Sequence, residues 1–382
     1  MGLGPVLLLL VIVVLFLANN RPPNIYIATH KLPKDNGNDY IIRAAAMLGT
    51  KGPSSSFRQP NSWTVAELRQ YVISNTPALA MFREGLKREH VLPAIRSANA
   101  DFAEYPRCRE LARRLADEAR YYREIGDYAR AADSHLDCIE FGATFPRSGA
   151  MIAGIVGIAI EATGTHDFAS LLPELNAREL ERVARRLERI EARRVPLADI
   201  VEEDGRSFAA WLTEMTGNRD FRLFISNPVN WFCESALGMG PPGSAGEVYG
   251  NARFAFRNKT AEVRSIMDYH KALAAEWRKP YAGKSSVPLP PNPLIQGVAP
   301  EIDSIRLDWE GNVAMLATMR AEVALRRYRL DHGRFPDRLS ALAPVYLKKE
   351  PVDPLGQGKP LIYKPLDGGR TFLVYSQARN LK

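Results

Sequence analysis

Four short stretches of this chain carry residue types whose spacing could do chemistry. Glu202-Glu-Asp204 gathers three carboxylates, enough for acid–base work in hydrolysis or for drawing in a cation. Cys233 beside Glu234 has the thiol of a nucleophile, but the sequence places no base next to it. Asp133-Ser-His135 holds the three residue types of a hydrolytic triad on one helical turn, where adjacent side chains point apart. His135 is therefore expected to line a helix core or groove. Gly238-Met-Gly-Pro-Pro-Gly fits the G-x-G-x-x-G pattern of a phosphate cradle, yet its two prolines remove amide donors and no clear strand precedes it. A loop is the expectation there, and a solvated turn at 202–204.

The remaining candidates are sparser. The six histidines (30, 90, 135, 166, 270 and 332) have no metal-ligand spacing, and the three cysteines have no CxxC pair. Cys108 and Cys138 could meet across a helix hairpin. No catalytic, cofactor or metal site is assigned. A hydrolase working through Glu202, Glu203, Asp204 or Cys233 stands as the alternative to a non-catalytic binding or scaffold role.

These groups must sit on a mainly α chain. The 382 residues carry a net charge of +8, with basic and acidic residues interleaved along helices such as Arg178-Glu-Leu-Glu-Arg-Val-Ala-Arg-Arg. Mixed signs on one helix favour local pairing over a nucleic-acid stripe, so a solvated face is expected there and no nucleic-acid partner. Residues 63–280 read as one helical domain. Thr64 and Glu67 have capping-box spacing, and Thr76-Pro77 suggests a second helix start. Helices on either side of Gly126-Asp127 resemble one tetratricopeptide-like hairpin. Met151 to Gly164 is apolar nearly all round and too short to span a bilayer, which makes it a core helix. Asn176 and Glu179 box the next helix, whose Leu180, Val183, Leu187 and Ile190 share a face.

The ends differ from the body. Residues 1–18 are uncharged and apolar, and they are expected to form a transmembrane anchor contacting lipid, with a single-pass place in the cytoplasmic (inner) membrane. Residues 19–62, rich in Pro, Gly, Asn and Ser, read as a stalk, and the proline-rich 281–299 as a linker. From 300 to 382 a long helix with Leu316, Met319, Val323 and Leu330 stops at Gly333. Asp337 is placed to cap a short helix bearing Leu339 and Leu342. Leu361-Ile-Tyr and Phe372-Leu-Val-Tyr flank a turn at Asp367-Gly-Gly.

That tail order resembles the globular head of the type II secretion major pseudopilin. The shared points are Tyr328, Asp331, Gly333, Phe335, Pro336, Leu339, Leu342, Tyr346-Leu347, Asp353-Pro354 and Tyr375-Ser376. The resemblance implies a small α+β tail domain, an extracytoplasmic body and a protein partner in the cell envelope, associated with type II secretion or pilus-like machinery. It does not carry over the family's calcium, because Asp353, Asp367 and Asn380 offer too few oxygens. The whole layout also looks like that of membrane-anchored bacterial proteins that join a helical body to this tail.

Overall fold

Side-chain caps and buried apolar stripes set most of the helices in the computed structural model. It describes residues 14, 18–19, 21, 23–49, 63–97, 99–217 and 257–377. In chain order the helices are α1 (Gly37–Ala46), α2 (Val65–Leu86), α3 (Glu104–Glu124), α4 (Tyr128–Thr144), α5 (Met151–Thr165), the single turn α6 (Phe168–Leu171), α7 (Ala177–Arg193), α8 (Leu197–Gly217), α9 (Lys259–Trp277) and α10 (Pro293–His332). A two-stranded antiparallel sheet, β1 (Ile362–Leu366) and β2 (Thr371–Tyr375), follows near the C-terminus, with Ile362 opposite Tyr375 and Leu366 opposite Thr371.

The capping boxes at Thr64/Glu67 and Asn176/Glu179 form as their spacing predicts. The α3–α4 turn rests on Gly126 at φ +76°, a backbone that an L side chain rarely adopts, and the Asp127 carboxylate accepts from Arg130 N–H. Pro77 does not open a helix. It lies inside α2, and on the turn before it the Thr76 hydroxyl donates to Val72 O and Asn75 Nδ2 to Tyr71 O. Asp337 does not cap the short 3₁₀ turn Leu339–Leu342; it lies 3.4 Å from Arg334 instead.

Four apolar clusters hold these elements together. One joins α1 to α5 through Ile41, Phe82, Leu111, Phe141 and Ile160. A second sits between α8, α9 and the first half of α10. A third seats Leu316, Met319 and Val323 of α10 against α4 and α7. The last is the tail core, around Leu325, Phe335, Leu342 and Leu361. Two expectations shift accordingly. Helix α1, inside the stretch read as a stalk, is core, because the buried Asn36 caps it and ties it to Val91 in both directions. And α10 begins at Pro293, within the stretch read as a linker.

Among the described residues, no helix is long and apolar enough to cross a membrane. The most apolar one, α5, has 15 residues and packs in the core, while the 40-residue α10 carries charges along its length. This corrects the fold, partner and location expected for the N-terminus: the transmembrane anchor, its lipid contact and the single-pass inner-membrane placement find no spanning helix. Of residues 1–18, only Val14 and Ala18 are among those described.

Candidate functional site

The carboxylates at 202–204 are taken up by structural work. Glu202 bridges Arg206 at 2.6 Å and Arg278 at 3.0 Å. Glu203 is buried between Arg96 at 2.7 Å and Arg206 at 3.2 Å. Asp204 accepts the Met151 N–H at 2.8 Å, so α8 caps the N-terminus of α5, which has no side-chain cap of its own. Its other oxygen is 3.5 Å from His270 Nε2, and Nδ1 of that ring donates to Ile266 O. Helices α8 and α9 come this close because residue 205 is glycine; a Cβ there would lie 2.5 Å from His270 Cβ. The expected solvated turn is therefore a helix–helix clasp.

His135, His90, Cys108 and Cys138 are also buried. His135 Nδ1 donates to Gly164 O at 2.8 Å while its ring meets Phe168 edge-on, and burial pushes its pKa down to about 4. His90 meets Phe145 edge-on, and burial with Arg147 nearby takes it to about 3. Cys108 and Cys138 are free thiols rather than a pair. Burial raises both pKa values, to about 12 for Cys108, and Cys138 Sγ lies 3.3 Å from Ile160 O. Cys233 and the 238–243 glycine stretch lie outside the described residues. No group of three or more His, Cys, Asp or Glu able to hold a metal occurs among the described residues.

The structure brings together a set that the sequence reading passed over. A cleft of about 740 Å³ opens between α2, α4 and α7. Helix α7 supplies Arg182, Arg185, Arg186, Arg189 and Arg193, α2 adds Arg83 with Lys87 just past its end, and α4 faces them with Asp133, Asp137 and Glu140. The inner layer is closed. Arg83 holds Asp137 at 2.6 Å and also Glu118, while Arg186 and Arg193 share Glu140. Burial alone would lower the Arg186 pKa, but Asp137 and Glu140 beside it hold it above the ordinary value.

The outer layer is exposed. Arg182 reaches Asp133 at 3.3 Å, Arg185 pairs with Glu181, and Lys87 with Glu84 at 2.6 Å. Arg189 has no carboxylate within ion-pair distance among the described residues. Burial raises the Asp133 pKa, with Arg182 pulling it back. The signal was present in the sequence: Arg182, Arg186, Arg189 and Arg193 recur at four, three and four residues, and Asp133, Asp137 and Glu140 at four and three, which places each set on one helix face. Interleaved glutamates made that face look merely solvated.

No family model matches the chain, and no curated protein and no solved structure matches it. None of these comparisons supports the pseudopilin resemblance expected for the tail or the link to type II secretion that it implied.

Proposed function

We propose that this chain is a non-catalytic interaction protein that holds an acidic segment of a partner protein in the cleft between α2, α4 and α7. The observation that carries this reading is the two-layer build of the cleft. An inner set of arginines is already neutralised by buried carboxylates and fixes the wall. Above it, Arg182, Arg185, Arg189 and Lys87 form an exposed rim. Exposed ion pairs contribute roughly 0–1 kcal/mol each, so an incoming carboxylate exchanges with Glu181 or Asp133 at little cost. Guanidinium forks match carboxylates bidentately, and five of them come from one helix. Among the described residues no aromatic side chain lines the cleft to stack a base, which favours an acidic protein segment over nucleic acid.

The test is a fluorescence-anisotropy titration of the full chain with a labelled Glu/Asp-rich peptide, at low and at physiological salt. Binding should be saturable and weaken with salt. The double variant R185E/R189E should lose about tenfold in affinity, and the slope with salt should flatten. Equal binding by that variant would overturn the proposal, as would a single-stranded oligonucleotide binding more tightly than the peptide.

A further inference from the structure

The tail has its own cleft, about 380 Å³, between the last turns of α10 and β2. Its walls include Arg326, Arg329 and Phe335, and then every residue from Arg370 to Val374. Successive strand residues point to opposite faces. Phe372 and Val374 turn toward the tail core, whereas Thr371 and Leu373 are exposed. A cleft touching all four must run along the edge of the strand.

That edge is open, since β2 pairs with β1 alone among the described residues. The register sets Phe372 opposite Pro365. A hydrogen-bonded antiparallel pair exchanges two N–H···O bonds, and proline has no N–H to give. Phe372 and, two residues on, Val374 therefore direct their own N–H and C=O away from β1, toward the cleft. An uncharged Thr-Phe-Leu-Val-Tyr edge, with Leu373 half exposed, is the kind that native proteins blunt with charge or keep covered.

We infer that β2 takes an extended acidic segment of a partner protein as a third strand. The charges around the edge select this occupant. Arg326 is paired with Glu322, but Arg329 and Arg370 have no carboxylate within ion-pair distance among the described residues. Arg329 lies over the Phe335 ring at 5.1 Å, and Arg370 Nε donates to Asp367 O at 3.0 Å, so both are held at the cleft by contacts that leave their charge unmatched. A second copy of β2 would bring the same arginines against these, a like-charge meeting that disfavours self-pairing. A partner strand with alternating carboxylates meets them, while its main chain closes the open hydrogen bonds. The inference goes beyond the body cleft and does not depend on it.

The experiment uses the full chain carrying R185E/R189E, which removes the body rim from the measurement. A labelled peptide of alternating Val and Glu is titrated by anisotropy, and amide exchange is followed over fragments spanning residues 371–375. Binding should saturate and slow exchange at Phe372 and Val374. Peptide N-methylated on alternate amides should bind about tenfold more weakly, as expected when about two main-chain hydrogen bonds are lost. R329E/R370E should weaken binding to a similar degree, with the thermal transition of the chain as the control for folding. Three results would overturn the inference: no saturable binding, equal affinity for the N-methylated peptide, or slow exchange at both amides in the free chain, which would mean that the chain covers its own edge. Concentration-dependent dimers with the same protection would overturn it too, by assigning the edge to a second copy.

Discussion

The body and the tail bury carboxylates in different ways. In the body, Asp137, Glu140 and Glu161 are nearly inaccessible, and each is answered by arginines reaching in from α2, α7 or the residue after α7. In the tail, Asp353 is fully buried and answered by neutral donors: the N–H groups of Leu355 and Gln377 and the Ser376 hydroxyl, at 2.7 to 3.0 Å. The first arrangement couples helices through pairs of charges, so removing one member strands the other. The second fixes the exit of β2 to the Asp353 loop, and its loss leaves only hydrogen-bond donors unmet. On top of the apolar clusters, arginines answer the buried carboxylates of the body, and backbone N–H groups with one hydroxyl answer that of the tail.

Breaking the body arrangement should have the largest effect. Glu161 takes both guanidinium nitrogens of Arg194, and Asn312 Nδ2 lies 3.2 Å from the same carboxylate. Glu161→Ala leaves Arg194 buried beside Trp309, and about 3–5 kcal/mol of unfolding free energy should be lost in a urea titration. Replacing both partners by apolar residues of similar size should recover most of it. Failure to recover would mean that the pair supplies attraction beyond cancelling its own desolvation. In the tail, Asp353→Ala should cost about 2–3 kcal/mol locally. Amide exchange should quicken over 352–377 and stay unchanged in α4 and α7. An equal loss of protection in the body would erase the distinction between the two regions.

Acid sharpens the comparison further. Burial lowers the pKa of His90 to about 3 and that of His135 to about 4, from an ordinary histidine value near 6.5. The unfolded chain therefore binds more protons than the native one as pH falls below 6.5. Stability from these rings is present above that value and is lost toward pH 3–4, by at most about 1.4 kcal/mol per pH unit for each. His90→Phe keeps an aromatic ring against Phe145, where the two centroids are 5.7 Å apart. Comparing urea midpoints at pH 7 and pH 5 should show a smaller fall for the variant than for the parent chain. An identical fall would place the acid sensitivity on other groups.

Local signals made much of the fold legible. The capping boxes, the Gly126 turn and the stripe Leu180, Val183, Leu187 and Ile190 are all written within one or two helical turns, and the structure keeps each of them. What could not be read depends on partners far away in sequence. Helix α1 is core because Asn36 meets Val91, and Glu202-Glu-Asp204 is a clasp because Met151, Arg96 and Arg278 arrive from other elements. The arginine face of α7 was half legible. Its period was visible, but whether it met solvent or the carboxylates of α4 was decided by how α7 packs.

The smallest effect tests the same rule between adjacent residues on one helix. Glu202 is about one-third exposed and bridges Arg206 and Arg278, themselves exposed. Its neighbour Glu203 has a 5% exposed side chain and pairs with Arg96, which also donates to Ala28 O and so straps the N-terminal segment to α8. Exposed pairs are screened and contribute little, so Glu202→Ala should cost no more than about 0.5 kcal/mol and become neutral in high salt. Glu203→Gln should cost clearly more and keep that cost in salt, because Arg96 is left only partly answered. If the two substitutions cost the same and respond to salt alike, burial is not what separates them, and the contrast between charge-paired body and hydrogen-bonded tail loses its physical basis.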